Sequence, residues 1–306
     1  MKISIIGAGS VGGLTAMRLA QTGLGDIALI DIAKGLARGK VLDMEDAQGL
    51  LKSNYAMQGA EDLSQIRGCD IIVVTAGLAR KPGMTREDLL NKNALILKDI
   101  GLSIKKLAPQ SIVIVVTNPL DLMTLFMLKE TGFTPNKVFG MGITLDAARF
   151  ANLISQELNA SVSDIIACVI GSHGEGMLPI PRLTTVKGIG LDELMDDKKI
   201  GSLVERTISR GKEIVELLGS GSAYFAPSAA IAEIVKAVAK DEKRTLGVSA
   251  YLNGEYGIKD MCIGVPCRLG KNGIEQIVQL DLNGPEKEAF QKSAAAIKQQ
   301  FGNLTI

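Results

Sequence analysis

With 306 residues, 46% of them hydrophobic, the chain is long enough for a large core and exceeds the size at which single cores usually stop growing, so two subdomains are expected. Its 34 basic and 33 acidic side chains leave a net charge of +1, which excludes the broad basic surface that a general nucleic-acid partner requires. No apolar run approaches the 18 residues of a membrane span, and the opening KISII run is too short for a signal-peptide core.

Cys69, Cys168, Cys262 and Cys267 are scattered without metal-binding spacing, which predicts reduced, buried thiols and a cytoplasmic protein that binds neither metal nor membrane. Cys262 and Cys267, five apart, fall on opposite faces if their segment is a strand.

Through about residue 140, short β-branched runs alternate with helical stretches. KISII precedes VGGLTAMRLAQTG, and DIALID precedes LARGKVLDMEDAQGLL. CDIIVVTAG and SIVIVVTNP are almost continuously apolar, as strands buried on both faces are. A parallel sheet covered by helices follows.

Gly7, Gly9 and Gly12 form G-x-G-x-x-G between the first strand and the first helix. The glycines allow a tight turn, close backbone approach to a pyrophosphate and tight helix–strand packing, with the diphosphate on the helix N-terminus. Asp31 ends the second strand 19 residues after Gly12, where a carboxylate accepts from a ribose diol and repels a 2′-phosphate. The motif in this context predicts a doubly wound Rossmann unit that binds NAD; a bare glycine turn with a surface aspartate is the blander alternative.

Ligands of such sheets sit beyond the carboxyl ends of the strands, so Thr117 and Asn118, closing VVTNP, are expected at the cofactor. The Asn118 amide can both donate and accept, although Asn-Pro is also a common turn. After the other VVT, LARKPGMTREDL places Arg80 and Arg86 on a Pro- and Gly-interrupted loop. A lid closing on an anion needs such residues, since guanidinium grips carboxylate with two parallel bonds; a solvated basic loop is the alternative.

Helical spacing resumes at ITLDAARFANLISQEL, where Asp146 and Arg149, three apart, share a face. They are either an ordinary surface ion pair or part of a site. His173, in GSHGEG, is the sole histidine. It is either a polar turn residue or the acid/base group that titrates near neutrality.

From about residue 143 the alternation fades. Long helical stretches (SLVERTISRGKEIVELLG, SAAIAEIVKAVAKD, EKEAFQKSAAAIKQQF) mix with the strands TLGVSAYL, MCIGVPCRL and IEQIVQLDL, with hairpin glycines at NGEYG and GKNG. The expected organisation is a dinucleotide-binding domain over 1–142 and an α+β substrate domain over 143–306.

In order and spacing, GAGSVGG, LID, GLARKPGMTREDL, VVTNPLD, LDAARF, GSHGEGMLP, GSAYFAPSAA, YLNGEYGIKDMCIGVP and LGKNGIEQIVQLDL resemble the lactate/malate dehydrogenase family across essentially the whole chain. The likeness is greatest to its NAD-dependent malate dehydrogenases of lactate-dehydrogenase-like type. The resemblance implies that His173 is the acid/base group and Asp146 orients it. It implies that Arg149 grips the substrate's α-carboxylate, Arg86 polarises the reacting carbonyl and Asn118 bonds the substrate. Asn93 matches a cofactor-contacting position, and Ser222 and Ala223 match a segment beside the nicotinamide.

Arg80 falls where the family selects its substrate, arginine resembling the malate enzymes and glutamine the lactate enzymes. A small dicarboxylate, malate or oxaloacetate, is the expected substrate, and a homodimer or homotetramer the expected assembly. Two departures stand out: Glu175 where the family usually has aspartate, and GITLDAAR in place of GVLDSAR. The rival readings are a lactate or branched 2-hydroxy acid dehydrogenase, a methyltransferase that uses a similar glycine loop, and a non-catalytic NAD sensor.

Overall fold

The structure, a computed structural model, describes residues 1–78 and 86–302, with the Arg86 side chain outside it. Strands β1 (Lys2–Ile6), β2 (Asp26–Ile30), β3 (Met57–Ala60), β4 (Ile71–Val74), β5 (Ile112–Val115) and β6 (Val138–Gly140) pair in parallel in the order β3-β2-β1-β4-β5-β6. This is the doubly wound dinucleotide-binding order, whose switch point lies between β1 and β4. All four residues of β4 and all four of β5 are buried, which is why these runs carry no polar alternation.

Helices α1 (Ser10–Gln21), α2 (Leu36–Asp46), α3 (Gln48–Leu51), α4 (Arg86–Leu107) and α5 (Leu120–Thr131) make the crossovers. The stretch 36–51, read as one helix, is two. Ala47 closes α2 and opens α3, a single turn that ends on Lys52 in left-handed backbone. Helix α5 is buried nearly all round, with ten of its twelve residues inside. Its apolar side chains pack among α4, β6 and the second half of the chain, and burial of each large one stabilises the fold by roughly 1.5–3 kcal/mol.

The second half contains α6 (Ile143–Leu158), short strands β7 (Ile165–Ile166), β8 (Val169–Gly171), β9 (Met177–Pro179), β10 (Thr185–Val186) and β11 (Ile189–Gly190), and the single turn α7 (Leu191–Leu194). Helices α8 (Asp197–Leu218) and α9 (Phe225–Ala239) follow, then the long strands β12 (Arg244–Asn253), β13 (Lys259–Gly270) and β14 (Gly273–Ile277), and finally α10 (Gly284–Gly302). Strands β12, β13, β8 and β9 are antiparallel and continue the first sheet, β12 meeting β6 at Ser249 and Gly140. One sheet thus runs through an N-terminal Rossmann domain and a C-terminal α/β domain.

IEQIVQLDL was expected to be wholly strand, yet β14 stops at Ile277. Its last pairing is with Cys267. The next residue of β13 is Pro266, whose carbonyl accepts from Val278 at 2.8 Å but which has no N–H to return. Cys262 and Cys267 are buried in β13; Cys168 is only partly covered, a correction to the expectation of buried thiols throughout, because it lies in the link between β7 and β8 and not within a strand. No helix among the described residues is long and apolar enough to cross a membrane.

Candidate active site

The glycine loop is held open for a ligand. Gly7 has φ +107, and its N–H donates to Ile30 O at 2.7 Å. A Cβ on Gly12 would lie 1.8 Å from Gly7 O and 2.8 Å from Thr75 Oγ1, so only glycine lets α1 approach β1 this closely. At Gly9, by contrast, a Cβ would meet nothing within 4 Å. Gly9 starts α1 with no side-chain cap, and the first turn holds no acidic residue. This leaves a free, electropositive helix end of the kind that receives a diphosphate.

Asp31 follows β2 and braces the same loop. Its Oδ2 accepts from Ala8 N at 2.7 Å and its Oδ1 from Ala33 N at 2.9 Å. An ionised carboxylate retains further lone pairs for hydroxyl donors. An open glycine, an uncapped helix end and a preoriented carboxylate together fit a dinucleotide.

At the carboxyl ends of β4 and β5, one amide ties two loops together. Asn93, on α4, is fully buried. Leu78 N donates to Asn93 Oδ1 at 2.7 Å, and Asn93 Nδ2 donates to Asn118 O at 2.7 Å. Thr117, also buried, donates its hydroxyl to Ala76 O at 2.6 Å. Asn93 and Thr117 thus hold backbone, while the exposed Asn118 side chain borders the cavity.

The second half supplies a histidine, a carboxylate and a guanidinium. Helix α6 is amphipathic and buries Ile143, Phe150 and Ile154; Asp146 lies in its first turn, fully buried. His173 Nδ1 lies 2.8 Å from Asp146 Oδ2, and Arg149 Nη1 donates to Asp146 Oδ1 at 3.2 Å. One carboxylate therefore bridges imidazole and guanidinium, leaving Nε2 of the ring for another partner. Burial pulls the imidazole's pKa down, but the charge and hydrogen bond of Asp146, with Asp121 behind it, outweigh burial and the repulsion from Arg149; the net shift is upward.

Burial lowers the Arg149 pKa against the pull of Asp146, with Arg210 on α8 adding to the lowering. The guanidinium stays charged. Arg149 Nε is buried and has no partner among the described residues. A buried unsatisfied donor costs on the order of 1–3 kcal/mol, which an incoming carboxylate would offset.

Beside His173 lies a cavity of about 920 Å³. Asn118, Glu87 on α4, Glu175 and Lys292 on α10 border it. Ser222 and Ala223 occupy the connection between α8 and α9. Arg80 lies outside the described residues; Arg86, expected on the loop, instead opens α4, where the helical apolar spacing of the following residues begins.

A residue not singled out from the sequence belongs to this centre. Asp121, in the first turn of α5, is 4% exposed. Its Oδ2 accepts from Ser172 Oγ at 2.8 Å and His173 N at 3.0 Å, and its Oδ1 from Ser249 Oγ at 2.6 Å. The available signal was a lone acid in the otherwise apolar run LDLMTLFML.

Fold and site define an α/β dinucleotide-binding protein with a His–Asp–Arg cluster built onto the continuation of its sheet. Residues 1–140 match the description "lactate/malate dehydrogenase, NAD binding domain", and residues 143–304 match "lactate/malate dehydrogenase, alpha/beta C-terminal domain". The chain belongs to the lactate/malate dehydrogenase family, and it is an NAD-dependent oxidoreductase.

It is 49% identical to a malate dehydrogenase of Methanosarcina mazei, each chain covered over 100% of its length. It is 45% identical to one from Halalkalibacterium halodurans, over 99% of this chain and 97% of that one. The apo malate dehydrogenase of Picrophilus torridus superposes with a TM-score of 0.95 at 42% identity, covering 98% of this chain and 96% of the other. A Cryptosporidium parvum lactate dehydrogenase, solved with lactic acid and nicotinamide adenine dinucleotide, also reaches a TM-score of 0.95, at 36% identity over 98% and 96% of the two chains.

Proposed function

We propose that the chain interconverts (S)-malate and oxaloacetate, residues 1–142 holding NAD and residues 143–306 supplying most of the substrate site. The observation that carries this reading is the His173–Asp146–Arg149 chain of contacts. Bound NAD supplies the hydride acceptor for the alcohol carbon. His173 takes the hydroxyl proton on Nε2 and returns it to the ketone in reverse; Asp146 fixes the tautomer and stabilises the imidazolium. Arg149 anchors the α-carboxylate and so aims C2, and Arg86 stabilises negative charge on the carbonyl oxygen.

Gly7, Gly9, Gly12 and Asp31 hold the pyrophosphate and ribose. Asn118 bonds substrate and nicotinamide, while Asn93 and Thr117 serve the cofactor by fixing the backbone around it. Ser222 and Ala223 would flank the nicotinamide of bound NAD. Arg80 pairs the second carboxylate of the diacid. In a water-poor pocket, pyruvate would leave that guanidinium unpaired, at a cost of several kcal/mol.

The test is NADH oxidation with oxaloacetate against pyruvate; oxaloacetate should be strongly preferred, and equal rates would refute the diacid reading. Arg80→Gln is expected to shift the kcat/KM ratio toward pyruvate by about 10²-fold or more, the scale of a removed charge pair. An unchanged ratio would remove Arg80 from substrate selection.

Oxaloacetate binds the imidazolium form and malate the neutral form. As pH rises through the His173 pKa, held above the usual histidine value, oxaloacetate affinity should therefore fall and malate affinity rise. Parallel pH trends in the two dissociation constants would exclude the assigned role.

The protein is proposed to work in the cytoplasm as a homodimer or homotetramer.

A further inference from the structure

We infer that Asp121 is a positioning residue for His173: it ties down the histidine's own backbone and places a second negative charge behind the ring. The inference rests on His173 being the acid/base group. Two segments remote from α5 converge on this carboxylate, the loop after β8 and strand β12. Ser172 and His173 reach it across 51 and 52 residues of sequence, and Ser249 across 128. Because the His173 N–H is itself a donor to Oδ2, any tilt of α5 moves the residue that carries the imidazole.

Gly142 tightens the same junction. A Cβ there would lie 2.4 Å from Leu120 and 3.0 Å from the His173 Cβ, so the start of α5, the start of α6 and the histidine loop are pressed together. Among the described residues no ion pair gives Asp121 a cation; three hydrogen-bond donors face it.

Loop anchoring alone does not require a charge. An amide in place of Asp121 could accept from His173 N and bond the two serine hydroxyls, which donate or accept, with far less desolvation. The charge acquires a use once the surrounding groups are counted. Asp121 and Asp146 are negative and Arg149 is positive, so the cluster is net negative around a neutral ring and neutral around an imidazolium. Arg210 on α8 repels Arg149, and Glu175, Glu87 and Lys292 border the cavity beside His173.

Consistent with this geometry, Asp121 is among the groups that hold the imidazole pKa up. Burial raises the pKa of Asp121 itself, against the bonds from Ser249, Ser172 and His173. Those bonds favour its ionised form. Asp146 acts on Nδ1 and Asp121 on the backbone amide, so orientation of the ring and of its support are divided between two carboxylates.

Because the chain has one histidine, ¹³C-histidine labelling lets NMR titrate His173 directly in the full-length protein. In Asp121→Asn the midpoint is expected to move to lower pH, with the pH profile of kcat/KM for malate moving alongside it. A roughly tenfold loss of kcat should accompany the shift as the ring loses its support, and the dissociation constant for NADH should stay put. A folded variant whose histidine titrates as in the parent would overturn the inference, whatever happened to the rate.

Should Asp121→Asn fail to fold, the double change Ser172→Ala, Ser249→Ala leaves the carboxylate one donor and favours its neutral form. The same downward midpoint is expected, and an unmoved midpoint overturns the inference equally. If the NMR midpoint falls while the pH–rate profile stays where it was, the coupling to Asp121 is upheld, and it is the catalytic assignment of His173 that fails.

Discussion

Replacing His173 by glutamine is expected to lower kcat by about 10³-fold while leaving NADH affinity within a factor of two, the range associated with loss of a general acid–base group. Glutamine can still bond Asp146 but cannot exchange a proton near neutral pH. The substitution should not collapse the fold. The Asp146 carboxylate, fully buried, keeps the Arg149 Nη1 bond at 3.2 Å, so no charge is stranded inside. His173 is itself 18% exposed at its side chain, at the cavity edge and away from the core.

The check is steady-state kinetics in both directions together with NADH binding followed by the coenzyme's own fluorescence. The chain contains no tryptophan, so no indole emission overlaps the signal. Parallel loss of cofactor binding would mark the histidine as a structural residue of its loop. An unchanged kcat would refute general acid–base catalysis by the imidazole.

The second large effect is expected at the glycine loop. Gly12→Ala should weaken NADH binding by at least about 10²-fold, close to 3 kcal/mol. The added methyl has nowhere to go: 1.8 Å from it lies a backbone oxygen, and Gly7, which bears that oxygen, is pinned by Ile30 and by the Thr75 hydroxyl at 3.0 Å. Either α1 retreats from β1 or the turn opens, and in both cases the first-turn N–H groups leave the position where a diphosphate would lie.

Gly9→Ala is the informative partner, because a Cβ there meets open space. It should leave the melting temperature unchanged and still reduce NADH affinity, since the methyl would enter the open space proposed for the diphosphate. Gly12→Ala should lower both. If Gly9→Ala bound NADH like the parent, the diphosphate would have to lie elsewhere on the loop.

Much of the first half was legible because its signals are local. A near-continuous apolar run announces a strand covered on both faces, and a glycine triplet between strand and helix announces a turn with exposed N–H groups. Strands β1, β2, β4 and β5 and helix α1 stand where those signals placed them. The short strands β7 to β11 carried no comparable signal. With two or three residues each, they are too brief for any period to register, and they exist because neighbouring chain offers them partners. The expected strand through residue 282 failed for the same class of reason, its ladder being ended by a proline on the partner strand.

The site divides along the same line. The spacing of Asp146 and Arg149 was enough to put them on one helical face, and the structure joins them at 3.2 Å. Asn93 resembled a cofactor ligand, yet its amide is engaged by Leu78 and Asn118, a use that depends on two loops meeting above the sheet. Asp121 was marked only as the last residue of VVTNPLD and as an acid in a largely apolar run, and nothing there names Ser249 as its partner.

What the amino-acid order determined by itself is the set of periodic and punctuated elements: apolar strands, amphipathic helices, the glycine turn and the acid after β2. Those follow from backbone geometry and burial within a window of a few residues. The family resemblance implied the pairing of His173 with Asp146; tertiary structure alone decided that Asp121, 52 residues from the histidine, holds it as well, and that β6 hands the sheet on to β12. Contacts across such separations are set by chain topology and by which buried polar groups can satisfy one another, and neither leaves a period in the sequence.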